Sequence, residues 1–160
     1  MQDIREFLNK IRNMSDRVHI QAINANAVYG IKHILGVLKI TLENESRGMI
    51  ISSKAEIDFL LRMSYTNQIS LAIENVGLKK FLPSCVIIYS KDKKELIRIR
   101  DVIVKLLQNV DNRILESNEK KWRFIFHMIG LKKNQNSLAL TQNKNLLTSY
   151  FIERAALVMK

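Results

Sequence analysis

The 160 residues are 47% apolar and 26% charged, a globular mixture of one-domain size that speaks against a disordered chain. Five glycines and one proline exclude collagen-like and Pro-rich chains, and one cysteine excludes an intramolecular disulfide or a cysteine-based zinc finger. The formal charge of +11 favours a polyanionic partner, and it is uneven: residues 1–90 hold 11 Lys/Arg against 8 Asp/Glu, residues 91–160 hold 15 against 7.

Acidic residues near the start leave no apolar core of a secretory leader, and no apolar stretch approaches the roughly 20 residues of a membrane span. With no disulfide the expectation is a cytoplasmic protein without membrane contact. Ile4, Phe7, Leu8 and Ile11 follow i, i+3, i+4, i+7 and predict an amphipathic helix over 3–14. Val18, Ile20 and Ala22 alternate with His19 and Gln21 and predict a strand over 17–23. Asn24 or Asn26 can cap a helix running to Leu42, with Val28, Ile31, Leu35, Leu38 and Leu42 as its inward stripe and His33 off it. Gly30 and Gly36 interrupt this helix without ending it. They either admit a close neighbour or cost about 1 kcal/mol each.

Residues 44–48 read as a turn and Met49-Ile50-Ile51 as a short edge strand. Ser53-Lys54-Ala55-Glu56 has the spacing of a capping box. The helix behind it carries Ile57, Leu60 and Leu61 and ends near Met63-Ser64. A second short helix follows, capped by Thr66, with Ile69, Ala72, Ile73 and Val76 inward and Gly77 as its stop. Beyond Pro83, Cys85 to Tyr89 reads as a strand with a buried structural thiol. Ser90 or Asp92 opens a helix to about Asn109 with Leu96, Ile99, Ile103, Leu106 and Leu107 inward. Its Lys91, Lys94, Arg98 and Lys105 form a strip that is either a solvated face or a phosphate-facing one. Ser117 caps a helix with Trp122, Ile125, Phe126 and Ile129 on one face and Gly130 at its end. Trp122 reads as a core anchor rather than a base-stacking platform. Lys120, Lys121, Arg123, Lys132 and Lys133 surround this element, and 134–136 is a loop. Leu138-Ala139-Leu140 is too short to assign. The last helix begins near Lys144, with Leu147, Phe151, Ala155 and Val158 on one face and Tyr150, Arg154 and Leu157 beside it.

The chemistry-bearing motifs are missing. Five scattered glycines build neither G-x-x-x-x-G-K-[ST] nor G-x-G-x-x-G. His19, His33 and His127 have no second ligand at metal spacing, and no nucleophile elbow or kinase signature occurs. The sequence nominates no catalytic residue, no metal ligand and no cofactor. It reads as a non-enzyme, with an enzyme of dispersed site as the weaker alternative.

The stretch Glu56-Ile57-Asp58-Phe59-Leu60-Leu61-Arg62-Met63-Ser64-Tyr65-Thr66-Asn67-Gln68-Ile69, continuing through Ala72-Ile73 to Gly77-Leu78, carries the one distinctive pattern. It resembles E-[IL]-x-x-[LF]-L-x-x-S-x-T-x-Q-I-x-x-A-I-x-x-x-G-[IL] of the small tRNA-recruiting, kinase-binding subunit of the KEOPS (EKC) complex, the TPRKB-like family. The order of a strand, a helix with His33-Ile34-Leu35, the motif and the strand Val86–Tyr89 is similar too. So are the break at Gly130-Leu131 and the terminal Ile152-Glu153-Arg154-Ala155-Ala156-Leu157. The resemblance spans roughly residues 17–160, leaving the first helix outside. Tyr65 departs from it, standing where a small residue, commonly glycine, is usual; Gly36-Val37 stands where small alanines are commoner.

The resemblance implies a non-catalytic subunit of the complex that installs threonylcarbamoyladenosine in tRNA. Such a subunit binds the kinase/ATPase subunit, meets the other subunits indirectly and, in archaeal members, holds the unpaired CCA end of tRNA. Two short helices meeting at Ser64–Gln68 put hydroxyls, amides and free N–H groups at one junction. By themselves these residues read as ordinary helix caps; with the resemblance they read as an RNA pocket. The nominated RNA site is Arg62, Ser64, Tyr65, Thr66, Asn67 and Gln68, with support from Lys79, Lys80, Lys91, Lys94 and Arg98. The kinase surface is expected on the exposed side of the His33 helix and the second face of the last one, at His33, Val37, Tyr150, Arg154 and Leu157. The alternative is that both faces are buried. A protein-only regulator of the kinase, without RNA binding, is the second functional reading. The expected fold is one α/β (α+β-like) domain, a small mixed sheet wrapped by six or seven helices.

Overall fold

A computed structural model describes residues 4–107, 109–131 and 140–159. The elements in order are α1 (Ile4–Arg12), β1 (His19–Asn24), α2 (Ile31–Ser46), α3 (Ala55–Met63), α4 (Ile69–Val76), β2 (Ser84–Tyr89), α5 (Lys93–Leu106), α6 (Glu119–Ile129) and α7 (Lys144–Ala156). Short 3-10 turns at Ala25–Ala27 and Asn112–Leu115 complete them. This is a single small α+β domain. Lys132, Lys133, the 134–136 loop and Leu138-Ala139 lie outside the described residues.

The sheet is an antiparallel pair rather than the expected mixed one, with β1 and β2 in register from His19 opposite Tyr89 to Asn24 opposite Ser84. Met49-Ile50-Ile51 does not join it. The Ile51 N–H instead donates to Asp58 Oδ1 at 2.7 Å, so its hydrogen bonding goes to α3 and not to a sheet edge.

Period-two alternation sorts the strand residues onto two covered faces. Ile20, Ala22, Val86 and Ile88 pack with Ile11 of α1 and with Ile99 and Ile103 of α5. Ile23, Cys85, Ile87 and Tyr89 pack with Ile34 and Val37 of α2, with Phe59 to Met63 of α3, and with Ala72 and Val76 of α4. Gln21, expected outward, is therefore buried as well. A third apolar cluster, Tyr29, Ile125, Phe126, Leu147 and Phe151, joins α6 to α7. Trp122, partly buried, packs edge-on against Phe126 at the margin of this cluster.

The inward stripe read for α2 is only partly met: Val28, just before the helix, is buried and Leu38 packs on the core, but the helix is rotated away from the rest. Its buried residues are His33, Ile34, Val37 and Thr41, whereas Ile31, Leu35 and Leu42 face solvent. Space decides this. A Cβ on Gly36 would lie 2.4 Å from Ile152 Cδ1, so the flank carrying Gly36 is the one α7 can approach. Gly30 does not interrupt α2 but starts it, at φ +88°. The 53–56 capping box does not form either: Lys54 is the N-cap without a side-chain bond, and Glu56 accepts from His19 Nδ1 at 2.9 Å. Asn118, not Ser117, caps α6 by accepting from the Lys121 N–H.

Candidate nucleic-acid interface

Three helices end in the same hydrogen-bonded device. After α2, Gly48 and Met49 N–H groups return to the carbonyls of Glu45 and Asn44; after α6, Gly130 and Leu131 return to His127 and Phe126. After α3, Tyr65 and Thr66 return to Arg62 and Leu61, each at 3.2 Å. These are Schellman caps, which place one residue in the left-handed region. Gly48 and Gly130 hold that position at φ +67° and +73°; at α3 it is Tyr65, at φ +56°. A side chain there costs roughly 1–2 kcal/mol. The departure from glycine at this motif position is thus a strained tyrosine.

The ring's contacts offset that strain. Tyr65 is half-buried against both the main core and the α6–α7 cluster, and its Oη lies 3.1 Å from His33 Nε2. His33 is buried, and burial pushes its pKa down to about 3, so the imidazole is neutral. Its Nδ1 accepts from the Tyr29 N–H at 3.2 Å. The network therefore assigns the single ring proton to Nε2, which donates to Tyr65 Oη. Burial holds the Tyr65 phenol well above its usual pKa, so it keeps its proton. The phenol is thus part of the packed junction, held against the buried His33.

Tyr65, Thr66 and Asn67 form one wall of a cleft of about 490 Å³ whose other wall is Arg154, Leu157, Val158 and Met159. Asn67 Nδ2 donates to the Met159 carbonyl at 3.1 Å, and Thr66 Oγ1 accepts from the Gln68 N–H at 3.2 Å. Gln68 is exposed and makes no side-chain cap bond to α4. The exposed Arg154 forms no ion pair among the described residues and supplies the cleft with positive charge.

Two nominated RNA contacts are structural instead. Arg62 is 2% exposed, pairs with Asp58 at 2.7 Å, and donates to the carbonyls of Ala155 and Val158, each at 3.2 Å. Asp58 also accepts from Thr41 Oγ1 at 2.9 Å, so one buried ion pair ties α2, α3, the 51 segment and the end of α7 together. Ser64 is buried and returns its hydroxyl proton to the Leu61 carbonyl at 2.9 Å. Helix periodicity carried Arg62 into the core, where the carbonyls ending α7 need a donor.

The remaining cations do not gather at this junction. Lys79 and Lys80 follow the far end of α4, an eight-residue helix about 12 Å long. Lys91, Lys94 and Arg98 belong to α5 and its approach, on the opposite face of the sheet from α3 and α4. Arg98 is also bonded to Glu95, at 2.6 and 2.8 Å.

The nominated partner residues divide as well. His33 and Val37 are fully buried and present nothing to a partner. Arg154 and Leu157 line the same cleft as Tyr65, and Tyr150 packs on Phe151 beside it. Val158 and Met159, which the sequence reading left out of the site, complete the wall because Arg62 and Asn67 hold the carbonyls ending the chain's last turn. Among the described residues no three His, Cys, Asp or Glu converge on a metal-sized site, and no helix is long and apolar enough to cross a membrane.

A protein-family model described as kinase binding protein CGI-121 matches residues 1–157. The chain belongs to this family. The match takes in α1, which the resemblance seen in the sequence did not reach, and the cleft apart from Val158 and Met159. A search of individually curated proteins finds no match. Within the CGI-121 family fold of this chain, the motif's serine and buried arginine hold the junction, while its tyrosine, threonine and asparagine face the cleft.

Proposed function

We propose that this chain is a non-catalytic subunit of a KEOPS complex for threonylcarbamoyladenosine modification, binding the kinase/ATPase subunit and receiving the single-stranded 3′ CCA end of tRNA. The observation that carries the RNA reading is the cleft between the α3–α4 junction and the end of α7. It combines the Arg154 guanidinium, the Asn67 amide, the Thr66 hydroxyl and the exposed part of the Tyr65 ring. Unpaired nucleotides are held by such sets, through phosphate contact, base-edge hydrogen bonds and stacking.

Kinase binding is what the family's description supports. The surface proposed for it is α2. Ile31 and Leu35 are 54% and 56% exposed, Leu42 is also exposed, and the three share one stripe at i, i+4 and i+11. Apolar anchors of this kind form the centres of stable interfaces.

The test compares tRNA with and without its CCA tail at fixed salt, for the wild-type chain and for Arg154→Ala and Asn67→Ala. Tail-dependent binding that both substitutions weaken is the expected result. Equal affinity for the two tRNAs refutes the tail contact. Absence of tRNA binding beside intact kinase binding would make the chain a protein-only regulator. For the kinase, Leu35→Asp is expected to abolish co-purification at unchanged Tm; retained co-purification refutes α2 as the surface.

A further inference from the structure

Phe81 is 91% exposed, more than any other large apolar side chain among the described residues. It also sits at φ +64°. The Leu82 N–H donates to the Lys79 carbonyl at 3.4 Å, so Phe81 takes the third position of a four-residue turn, the one a type II turn gives to glycine. No packing explains a bulky side chain there, since the ring is in solvent. Strain kept without a packing return points to a use for the side chain.

The turn is presented firmly. Pro83 restricts Leu82 to extended backbone, and the Pro83 carbonyl accepts from the Ala25 N–H at 2.9 Å, which anchors the base of the turn to the end of β1. Its other two residues, Lys79 and Lys80, are exposed and enter no ion pair among the described residues. Two unpaired cations beside an open aromatic face, on a chain of net charge +11, match a phosphate backbone and an unstacked base. Leu82 beside it is 43% exposed, but two exposed lysines precede the pair, whereas the centre of a protein interface is depleted in charge.

We infer that the Lys79–Leu82 turn is a second RNA contact, separate from the cleft, in which Phe81 stacks on an unpaired nucleotide and Lys79 and Lys80 hold its phosphates. This rests on the tRNA reading above and adds a site to it. The turn lies beyond the far end of α4 from the Tyr65 cleft, so the two contacts engage different nucleotides.

The experiment measures tRNA affinity and its salt dependence for wild type, Phe81→Gly, Phe81→Trp and the double variant Lys79→Ala/Lys80→Ala. Glycine suits the backbone, so Phe81→Gly is expected to fold with a Tm no lower than wild type while binding tRNA roughly tenfold or more weakly. Phe81→Trp is expected to restore affinity, and the double lysine variant to lower the salt slope by about 2. Wild-type affinity in Phe81→Gly, with the Arg154→Ala cleft variant still impaired, overturns this contact alone. Weakened kinase binding with tRNA affinity unchanged overturns it in favour of a protein anchor. Failure of the wild-type chain to bind tRNA overturns both this contact and the cleft.

Discussion

Replacing Arg62 with methionine separates a structural arginine from an RNA-binding one. Methionine keeps most of the side-chain volume and removes the charge. Asp58, 0% exposed, would retain its bonds from Thr41 and the Ile51 N–H but lose its countercharge, and the Val158 carbonyl would lose its Arg62 donor and the Ala155 carbonyl one of its donors. Breaking one side of a buried pair costs about 3–5 kcal/mol. Against a total stability of about 5–15 kcal/mol that is a large fraction. For a domain of this size it lowers Tm by roughly 6–20 °C. Urea unfolding followed by far-ultraviolet dichroism measures it directly. The double variant Asp58→Asn/Arg62→Met, which removes the orphaned charge while leaving an acceptor for Thr41, is expected to recover part of the loss. A loss below about 1 kcal/mol in Arg62→Met would refute the reasoning, and an equally stable variant that no longer binds tRNA would return Arg62 to the RNA site.

Three further outcomes follow from the same contacts. His33 is buried neutral with a pKa near 3 against an ordinary 6.5, so the unfolded chain binds its proton first: stability is complete above about pH 6.5 and falls as pH drops toward 3. Equilibrium unfolding should show a loss of about 2 kcal/mol from this group between pH 7 and pH 5, and His33→Asn should remove that component; an unchanged pH profile in the variant counts against it. Tyr65→Phe leaves the His33 Nε2 proton without its acceptor and should cost about 1–3 kcal/mol in thermal or denaturant unfolding, a cost near zero being inconsistent with the His33–Tyr65 bond. Cys85 is buried, and burial raises its thiol to about pKa 11, so an aromatic disulfide reagent should label it only as fast as the chain unfolds; rapid labelling of the native protein would contradict its place in the core.

The element order was largely legible because each element carries local signals. The Asp92 cap, the stops at Gly77 and Gly130 and the strand at Cys85 to Tyr89 all stand where period and capping chemistry put them. The misreadings share one cause. The Ile31-Leu35-Leu42 stripe has sound helical period, but period says which residues share a face and not which face meets the core. Gly36 against Ile152 settles that for α2. The box at 53–56 failed likewise, because His19 offers Glu56 a partner 37 residues away in sequence.

For the candidate site, the sequence by itself determined the motif, the junction of two short helices and the supply of polar groups at it, since caps and turns are written within a few residues. It also marked Tyr65 as out of place. Only the tertiary structure decided which of those groups reach solvent. Arg62 and Ser64 turn inward because the carbonyls of Ala155, Val158 and Leu61 lie there. Arg154 takes the exposed position across the cleft because Phe151 and Ala155, on the inward face of the same helix, are packed into the core. Contacts between residues 92 to 96 apart leave no periodic trace in either partner, so the wall formed by α7 becomes visible only once the chain has closed upon itself.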